Sequence, residues 1–597
     1  MFLWLEDLIR NLAGGKRAGK SNSCARITVN VATINRGRSL ITYQQNMIED
    51  LWYKNAIVYN LDIKTFMDVN GDGIGDFEGL ARRLDYLDAL GVDTIWLSPF
   101  QPTPDKDNGY DIKDYYGVDP RFGSSGEFVE FMHQAKKHGF KVILDLVVNH
   151  TSDQHLWFQE ARSSKDSRYR DWYVWSESKP PNWNQGMVFP GVQHRTWTYD
   201  KKAKAYYFHR FYDFQPDLNM DNPAVRTEVS RIMGYWLELG VSGFRVDAVP
   251  FILESPSPGL AEHEMKFEYL REMRRFLQWR KGDAILLGEA NVLPNESEHY
   301  FGKEGDGVHL MFNFYVNQHL FYALATSDTE PLADALKATQ NIYPTSQWAH
   351  FLRNHDELDL GRLTEEQQQK VFKRFGPEKE MQLYNRGIRR RLNPMLGSRQ
   401  QIEMAYSLMF SLPGTPVLRY GDEIGMGEDL RLNERDAVRT PMQWANESQA
   451  GFSAADKLVH PVIDEGPYSY HHVNAEDQRR KPDSLLNWMT ALIRLRKECP
   501  EIGWGTWEIL KTGRPQVLGM YYCWRGNSLV VLHNFDEQPH EVTLSLKQNN
   551  EDRLIDLMAN EKSVADEKGQ HRITLDAFGY RWFRAGDLSH LLHRRKQ

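Results

Sequence analysis

Cysteine is scarce: Cys24, Cys499 and Cys523 are the only three in 597 residues, odd in number and widely spaced. That count excludes a disulfide framework, no metal-ligand spacing is present, and the thiols read as structural groups in a reducing compartment. A basic excess is also lacking, since 73 Lys and Arg against 81 Asp and Glu leave a formal net charge of -8. No field is available to attract phosphate backbones, so nucleic acid is excluded as a partner. No apolar run approaches the roughly 20 residues of a membrane helix. The opening MFLWL is followed at once by Glu6 and Asp7, where a secretory signal has basic charge and then a longer apolar stretch. The expected protein has no membrane partner and a cytoplasmic location. A dinucleotide fingerprint, with its strand, glycines and following acid, is absent too, and so is any repeat at solenoid periods.

What is present is an ordinary globular composition, 41% apolar and 26% charged, in a chain long enough for two or three domains. Aromatics are abundant, with 17 Trp, 27 Tyr and 29 Phe, and serve either core packing or stacking against sugar faces. Residues 1–46 are polar, basic and aperiodic, which predicts a poorly ordered extension; the pattern changes at Met47, itself a candidate translation start.

From Asn55 onward short β-branched runs alternate with helical patterns, the signature of βαβ units. The runs are AIVYNLDI, TIWLSP, KVILDLVV, GFRVDAV, AILLGEA, HLMFNF, WAHFLRN and PVLRYGDEI, eight in all. They predict an α/β fold, a (β/α)8 barrel over 47–148 and 223–504. The segment FEGLARRLDYLDALG has helical spacing and stops at Gly91. Between them, 149–222 is rich in Trp, Pro, Gly and Tyr without a long helix and reads as a subdomain inserted after strand three. Residues 505–597 alternate with period two, with turn chemistry at Arg525, Gly526 and Asn527, and predict a C-terminal antiparallel β-sandwich domain.

Barrels of this kind gather working residues at the C-terminal ends of their strands. Those ends carry Asp145, Asn149 and His150, then Arg245 and Asp247, then Glu289, then His355 and Asp356. Asp247 alone could be a carboxylate salt-bridged to Arg245, but so much charge set in apolar β-runs needs a purpose. Cleaving an acetal requires a proton on the leaving oxygen and negative charge beside the developing oxocarbenium ion, which two carboxyl groups in opposite protonation states supply. Arg245 should keep Asp247 ionised as nucleophile, while the apolar LLG before Glu289 should raise its pKa for acid/base work.

These motifs resemble the α-amylase superfamily of glycoside hydrolases, and within it the branch of trehalose synthases (maltose glucosyltransferases) and α-glucosidases. The resemblance spans roughly residues 50–585. It rests on DLVVNH (145–150), GFRVDAV (243–249), GEA (288–290) and FLRNHDE (351–357), with QPDLN (215–219), NGYDIKDY (108–115) and VRTPMQW (438–444). It implies Asp247 as nucleophile, Glu289 as acid/base and Asp356 as a third carboxylate holding sugar hydroxyls. It further implies His150 and His355 on glucose hydroxyls, Arg245 orienting Asp247, Tyr110 as a stacking platform and Gln215 as a substrate contact. Asp107 and Arg439 look like a pair closing the far end of the pocket.

The loop DVNGDGIGD offers oxygen ligands at Asp68, Asn70, Asp72 and Asp76 and the carbonyl of Ile74, which suits a structural Ca²⁺; Gly79 stands where an EF-hand has its acid. A solvated acidic turn is the alternative. The resemblance implies a second Ca²⁺ on Asn149, Asp217 and Glu254 with the carbonyls of Phe251 and Ile252, the family having Tyr where Phe251 stands.

The expected small-molecule substrates are maltose, trehalose or short α-glucosides. Isomerising maltose to trehalose needs a closed, water-poor pocket in which the freed glucose turns and attacks the glucosyl-enzyme, whereas a more open pocket gives an α-glucosidase. The stretches HRFYDFQPDLNMDNP, FLRNHDELDL, GIRRRLNPMLG and SLPGTPVLRYGDEIGMG resemble the synthases; VFPGVQHRTWTYD (188–200) replaces their acidic loop. A catalytically inactive interaction protein on the same fold, like the heavy chains of amino-acid transporters, would lose the carboxylates and carry a membrane helix, and this sequence does neither.

Overall fold

The computed structural model describes residues 49–254, 256, 264–546, 552–559 and 561–585. The expected extension 1–46 and Cys24 lie outside these residues, as does the end of the C-terminal segment.

Eight parallel strands close a barrel: β1 (Val58–Leu61), β2 (Thr94–Leu97), β3 (Lys141–Leu146), β4 (Gly243–Val246), β5 (Ile285–Gly288), β6 (Leu310–Phe312), β7 (Gln347–Phe351) and β8 (Thr415–Arg419). Each pairs with its chain neighbours and β8 pairs with β1. Six fall within the runs expected from the sequence, and β7 and β8 begin one residue before theirs, at Gln347 and Thr415. Continuous apolar runs are what a parallel sheet covered on both sides demands. Inside the barrel Val58, Trp96, Ile143, Ile285, Leu287, Leu310, Phe312, Ala349, Phe351 and Val417 form one packed plug. The opposite side chains, among them Tyr59, Leu97, Leu144, Phe244 and Leu286, join the larger core beneath the helices.

The segment FEGLARRLDYLDALG departs from the single helix its spacing suggests. It breaks into Phe77–Arg82 and Leu84–Leu90 around Arg83, whose guanidinium lies 4.1 Å from the Trp444 ring centre. The stop at Gly91 is a left-handed cap with φ 97°.

The stretch after β3 contains a short helix, Leu156–Ala161, and a three-stranded antiparallel sheet of Trp175–Ser176, Trp197–Asp200 and Ala205–Phe208. Bridges between His150 and Asp217 and between Tyr173 and Leu218 tie its two ends together. A second excursion, unread in the sequence, follows β7: the strands Leu358–Asp359, Gln382–Leu383 and Gly387–Ile388 form a small sheet around the helix Glu365–Phe375. Its strands are two residues each, too short to show a period.

Beyond the helices, Thr506–Leu510, Val517–Trp524, Asn527–Asn534, Tyr580–Ala585, Arg553–Asp556 and Lys562–Val564 make a six-stranded antiparallel sheet facing the pair His540–Ser545 and Gln570–Leu575. Arg525 and Gly526, both at positive φ, form its tight turn. Trp582 is wholly buried and donates to Ser407 Oγ, and Arg584 pairs at 3.0 Å with buried Glu501, so this sheet packs on the barrel helices through polar as well as apolar contacts.

Gly243, which opens GFRVDAV, sits at φ 154° against β5. A Cβ there would lie 2.4 Å from the Ile285 carbonyl oxygen and 2.8 Å from its nitrogen. Gly243→Ala therefore forces β4 away from β5 beneath Arg245 and Asp247. A stability loss of about 2–4 kcal/mol is expected in denaturant unfolding, in the range of strained or overpacked positions.

Candidate active site

Strand register assembles the centre. Asp145 on β3 and Arg245 on β4 are direct neighbours in the sheet. The Arg245 guanidinium, buried in the barrel mouth, reaches three carboxyl groups: Asp145 Oδ1 at 2.5 Å, Asp247 Oδ1 at 2.7 Å and Glu289 Oε2 at 2.7 Å. Trp96 Nε1 donates to the other oxygen of Asp145 at 3.0 Å. Ala248 adopts φ 50° and ψ 41°, and from this left-handed position its N–H donates to Glu289 Oε2 at 3.0 Å. The chain between Asp247 and the next helix thus orients Glu289 as well.

Burial pushes Asp247 up to about 6, with the guanidinium of Arg245 opposing it. Arg245 is expected to keep Asp247 ionised, and its pull acts in that direction against burial. Burial likewise raises Glu289, to about 7, against the pull of Arg245 and with the neighbouring Asp247 adding to the rise. The order needed for opposite protonation states survives: Asp247 loses its proton before Glu289. Asp145 is also pushed to about 6 by burial.

Asp356 differs. Burial would raise it, but Arg435 at 3.1 Å and Arg439 at 2.9 Å outweigh burial and hold its carboxyl well below the ordinary range. His355 beside it is buried and kept neutral, and its Nε2 shares a 2.8 Å hydrogen bond with Tyr110 Oη. Their rings are parallel, 5.8 Å apart. His150 is pulled down to about 4 by burial, with Nε2 3.0 Å from the Tyr110 carbonyl. Both histidines are neutral near pH 7, suited to hydrogen bonding with hydroxyl groups and not to carrying charge.

Asp107, Tyr110, His150, Asp247, Glu289 and Asp356 line one cavity of about 1020 Å³. Gln215, Arg245, His355 and Arg439 stand behind them: Gln215 Nε2 donates to Asp107 Oδ2 at 2.9 Å, and Arg439 Nε donates to the His355 carbonyl at 2.8 Å. The expected pairing of Asp107 with Arg439 takes a different form. Arg439 gives its guanidinium to Asp356, and Arg435, four residues earlier, exerts the larger pull on Asp107, which burial raises to about 6.

Arg435 went unread in the sequence. It pairs with Asp356 and with buried Glu357 at 3.1 Å, and it lies 4.8 Å from the Phe189 ring and 5.4 Å from the Tyr384 ring. Tyr212 and Tyr384 both donate to Glu434 at 3.0 Å, and Phe189 stacks on each ring. The inserted subdomain, the excursion after β7 and the loop after β8 thus meet beside the cavity. Only the four-residue spacing of Arg435 and Arg439 in ERDAVR could have flagged it. The cavity's other wall has Phe251, Glu254, Met265, Phe267, Asn291 and Arg362 among its residues.

The candidate calcium loop lies apart from this cavity. Asp68 accepts from the N–H groups of Gly71 and Gly73, Asp72 from Ile74, and Asp76 from Val69, Asn70 and Gly79; Asn70 Oδ1 accepts from Asp72. At the second candidate site Asp217 accepts from Arg210 N at 2.8 Å, Glu254 is ion-paired with Arg210, and Asn149 bonds to Asp217. Phe251 and Ile252 lie on the short helix Val249–Leu253. Burial raises Asp217 to about 7, against the pull of the Arg210 backbone N–H and guanidinium. Among the described residues no three His, Cys, Asp or Glu side chains gather at one metal position. The donor kinds at both places nevertheless suit Ca²⁺, which takes amide and main-chain oxygens alongside carboxylates.

Comparison with known proteins covers most of the chain. The family described as alpha amylase, catalytic domain, matches residues 62–505, and a sucrose hydrolase-like C-terminal domain matches 526–584. A trehalose synthase of Thermus thermophilus is 41% identical over 92% of this chain; the match spans 57% of that relative's own length. A trehalose synthase of Pimelobacter sp. is 39% identical over 90% of this chain and 96% of its own, and an oligo-1,6-glucosidase of Bacillus cereus is 32% identical over 83% and 94%. Among solved structures, the trehalose-6-phosphate hydrolase of Bacillus licheniformis superposes with TM-score 0.73 at 28% identity, covering 90% of this chain and 100% of that one.

The two raised carboxyl groups set a pH dependence. Turnover should fall below about pH 6 as Asp247 takes up a proton and above about pH 7 as Glu289 loses its own, giving a narrow bell in kcat/KM. A profile flat from pH 5 to pH 9 would contradict this pairing of roles.

Proposed function

The chain belongs to the alpha-amylase family, and on that premise we propose that it cleaves an α-glucosidic bond with retention and transfers the glucosyl group, as a trehalose synthase-type enzyme interconverting maltose and trehalose. The observation that carries this reading is the single Arg245 guanidinium contacting Asp247 and Glu289 together. One guanidinium spanning both favours the short carboxyl separation of retaining enzymes, about 5–5.5 Å, over the about 6.5–9.5 Å that admits a water between them.

In this mechanism Glu289 gives its proton to the glycosidic oxygen while Asp247 attacks carbon one, and the leaving sugar departs with that proton. Asp356, ionised and held by two guanidinium groups, accepts hydrogen bonds from sugar hydroxyls and stabilises positive charge at the anomeric carbon. Glu289, now a base, takes the proton from the hydroxyl that attacks the glucosyl-enzyme. If that hydroxyl is the anomeric one of the retained glucose, the product is trehalose; if it is water, the product is glucose. The identity to trehalose synthases, at 41% and 39%, favours the first outcome, and that to an oligo-1,6-glucosidase, at 32%, supports α-glucoside hydrolysis as the second reading. Among the described residues no helix is long and apolar enough to cross a membrane, and Cys499 and Cys523 are free, in keeping with a cytoplasmic enzyme.

Incubation with maltose followed by product chromatography tests the reading: trehalose in excess of glucose is expected, and glucose alone would replace isomerisation by hydrolysis. Asp247→Asn should lower turnover at least about a thousandfold, the scale of losing a principal transition-state contact, and unchanged turnover would remove Asp247 from its role.

We further propose Ca²⁺ at the loop of Asp68, Asn70, Asp72, Ile74 and Asp76, where it acts on stability, and at Asn149, Asp217, Glu254, Phe251 and Ile252. A chelator should lower Tm by several degrees, with recovery on adding Ca²⁺ and not Mg²⁺. An identical melting curve after metal removal verified by elemental analysis would count against both sites.

A further inference from the structure

Asp107 lines the cavity on a loop whose shape depends on two left-handed residues. Asp105 and Asn108, on either side of it, both adopt left-handed backbone conformations, at φ 62° and 49°. Asp and Asn are the non-glycine residues that adopt this conformation most readily, and here an outside contact fixes both. One group bridges the two. Lys64, on the 3-10 turn Ile63–Thr65 just after β1, is 6% exposed, and its Nζ donates to Asp105 Oδ1 at 3.0 Å, Asp105 Oδ2 at 2.9 Å and Asn108 Oδ1 at 3.2 Å. All three protons of the ammonium are used, and all on residues flanking Asp107.

The brace is anchored at both ends. Asp62 caps the turn by accepting from Lys64 N at 3.1 Å, and Asp105 also receives Arg121 Nη1 at 2.8 Å. Asn108 passes the contact on, its Nδ2 donating to Asp436 Oδ1 at 2.8 Å. Asp436 adjoins Arg435, whose guanidinium acts on both Asp107 and Asp356. The loops after β1, β2 and β8 are thereby locked into one frame around the carboxylate.

We propose that Lys64 is the positioning residue for Asp107: by clamping Asp105 and Asn108 it fixes the carboxylate that receives the glucosyl unit at the closed end of the pocket, and so sets binding of that unit. Lys64 is not among the residues that line the cavity. The inference rests on the proposed α-glucoside site, and its test is a binding measurement that needs no turnover.

The probe is 1-deoxynojirimycin, a glucose-shaped iminosugar, titrated calorimetrically into the full chain, with KM and kcat for maltose measured alongside. Lys64→Met should weaken binding at least about tenfold and raise KM more than it lowers kcat, and Lys64→Arg should recover part of the loss. In an Asp107→Ala background Lys64→Met should add nothing, because a residue acting through another is non-additive with it. Asn108→Gly, which keeps the left-handed backbone without strain but removes the amide, should act in the same direction and serves if Lys64→Met does not fold. Parent-like binding by Lys64→Met, or an equal loss with and without Asp107, would overturn the assignment. A parent that binds the iminosugar yet turns over no maltose would count against the proposed function and not against Lys64.

Discussion

One buried cation organises the molecule's working end. Arg245 has three carboxyl groups within 2.7 Å and almost no access to water. Taking such ions out of water costs several kcal/mol each, and the cost is met only when geometry and hydrogen bonding are complete. The barrel supplies that geometry by register. Asp145 and Arg245 are sheet neighbours, and Asp247 and Glu289 follow directly on β4 and β5. The packed plug below, with Trp96 donating to Asp145, keeps the pair from relaxing toward solvent.

The distribution of charge explains the spread of pKa values. Asp107, Asp145, Asp247, Glu289, Asp356 and Glu357 share the guanidinium groups of Arg245, Arg435 and Arg439, so negative groups outnumber positive ones. Burial raises the pKa of five of them, Asp107, Asp145, Asp247, Glu289 and Glu357, and the shared guanidinium groups offset that rise only in part. Asp356, which commands two guanidinium groups, is the one held well below the ordinary carboxylate range. A pocket short of positive charge is suited to stabilise a substrate that becomes positive at the anomeric carbon.

The parts legible in the sequence were those in which one physical constraint acts on consecutive residues. Burial on both sides made the eight strands readable as apolar runs, and the C-terminal sheet showed itself by alternation. Asp247, Glu289 and Asp356 could be picked out because they sit at strand ends. The excursion after β7 escaped because its strands are two residues long. Arg435 escaped because its importance comes from four distant segments: Asp107, Phe189, Asp356 with Glu357, and Tyr384. No local pattern encodes such a meeting. Lys64 is the same case, being one of 73 basic residues until the fold brings Asp105 and Asn108 to it.

The two ends of the cavity impose opposite demands. Around Asp107, Gln215 donates to its carboxylate and Arg435 lies over the Phe189 and Tyr384 rings. The same cavity is also lined by Asn291, Leu293, Phe314 and Arg362, within a volume of about 1020 Å³, at the upper limit of about 300–1,000 Å³ common for small-molecule sites. The carboxyl groups stand between these regions and serve either attacking hydroxyl equally. Whether the freed sugar is retained or replaced by water is therefore decided by how the acceptor wall fills that space. Transfer and hydrolysis can diverge on the same carboxyl groups because residues of that wall, such as Asn291, Leu293 and Arg362, can change while the buried Arg245 cluster stays intact.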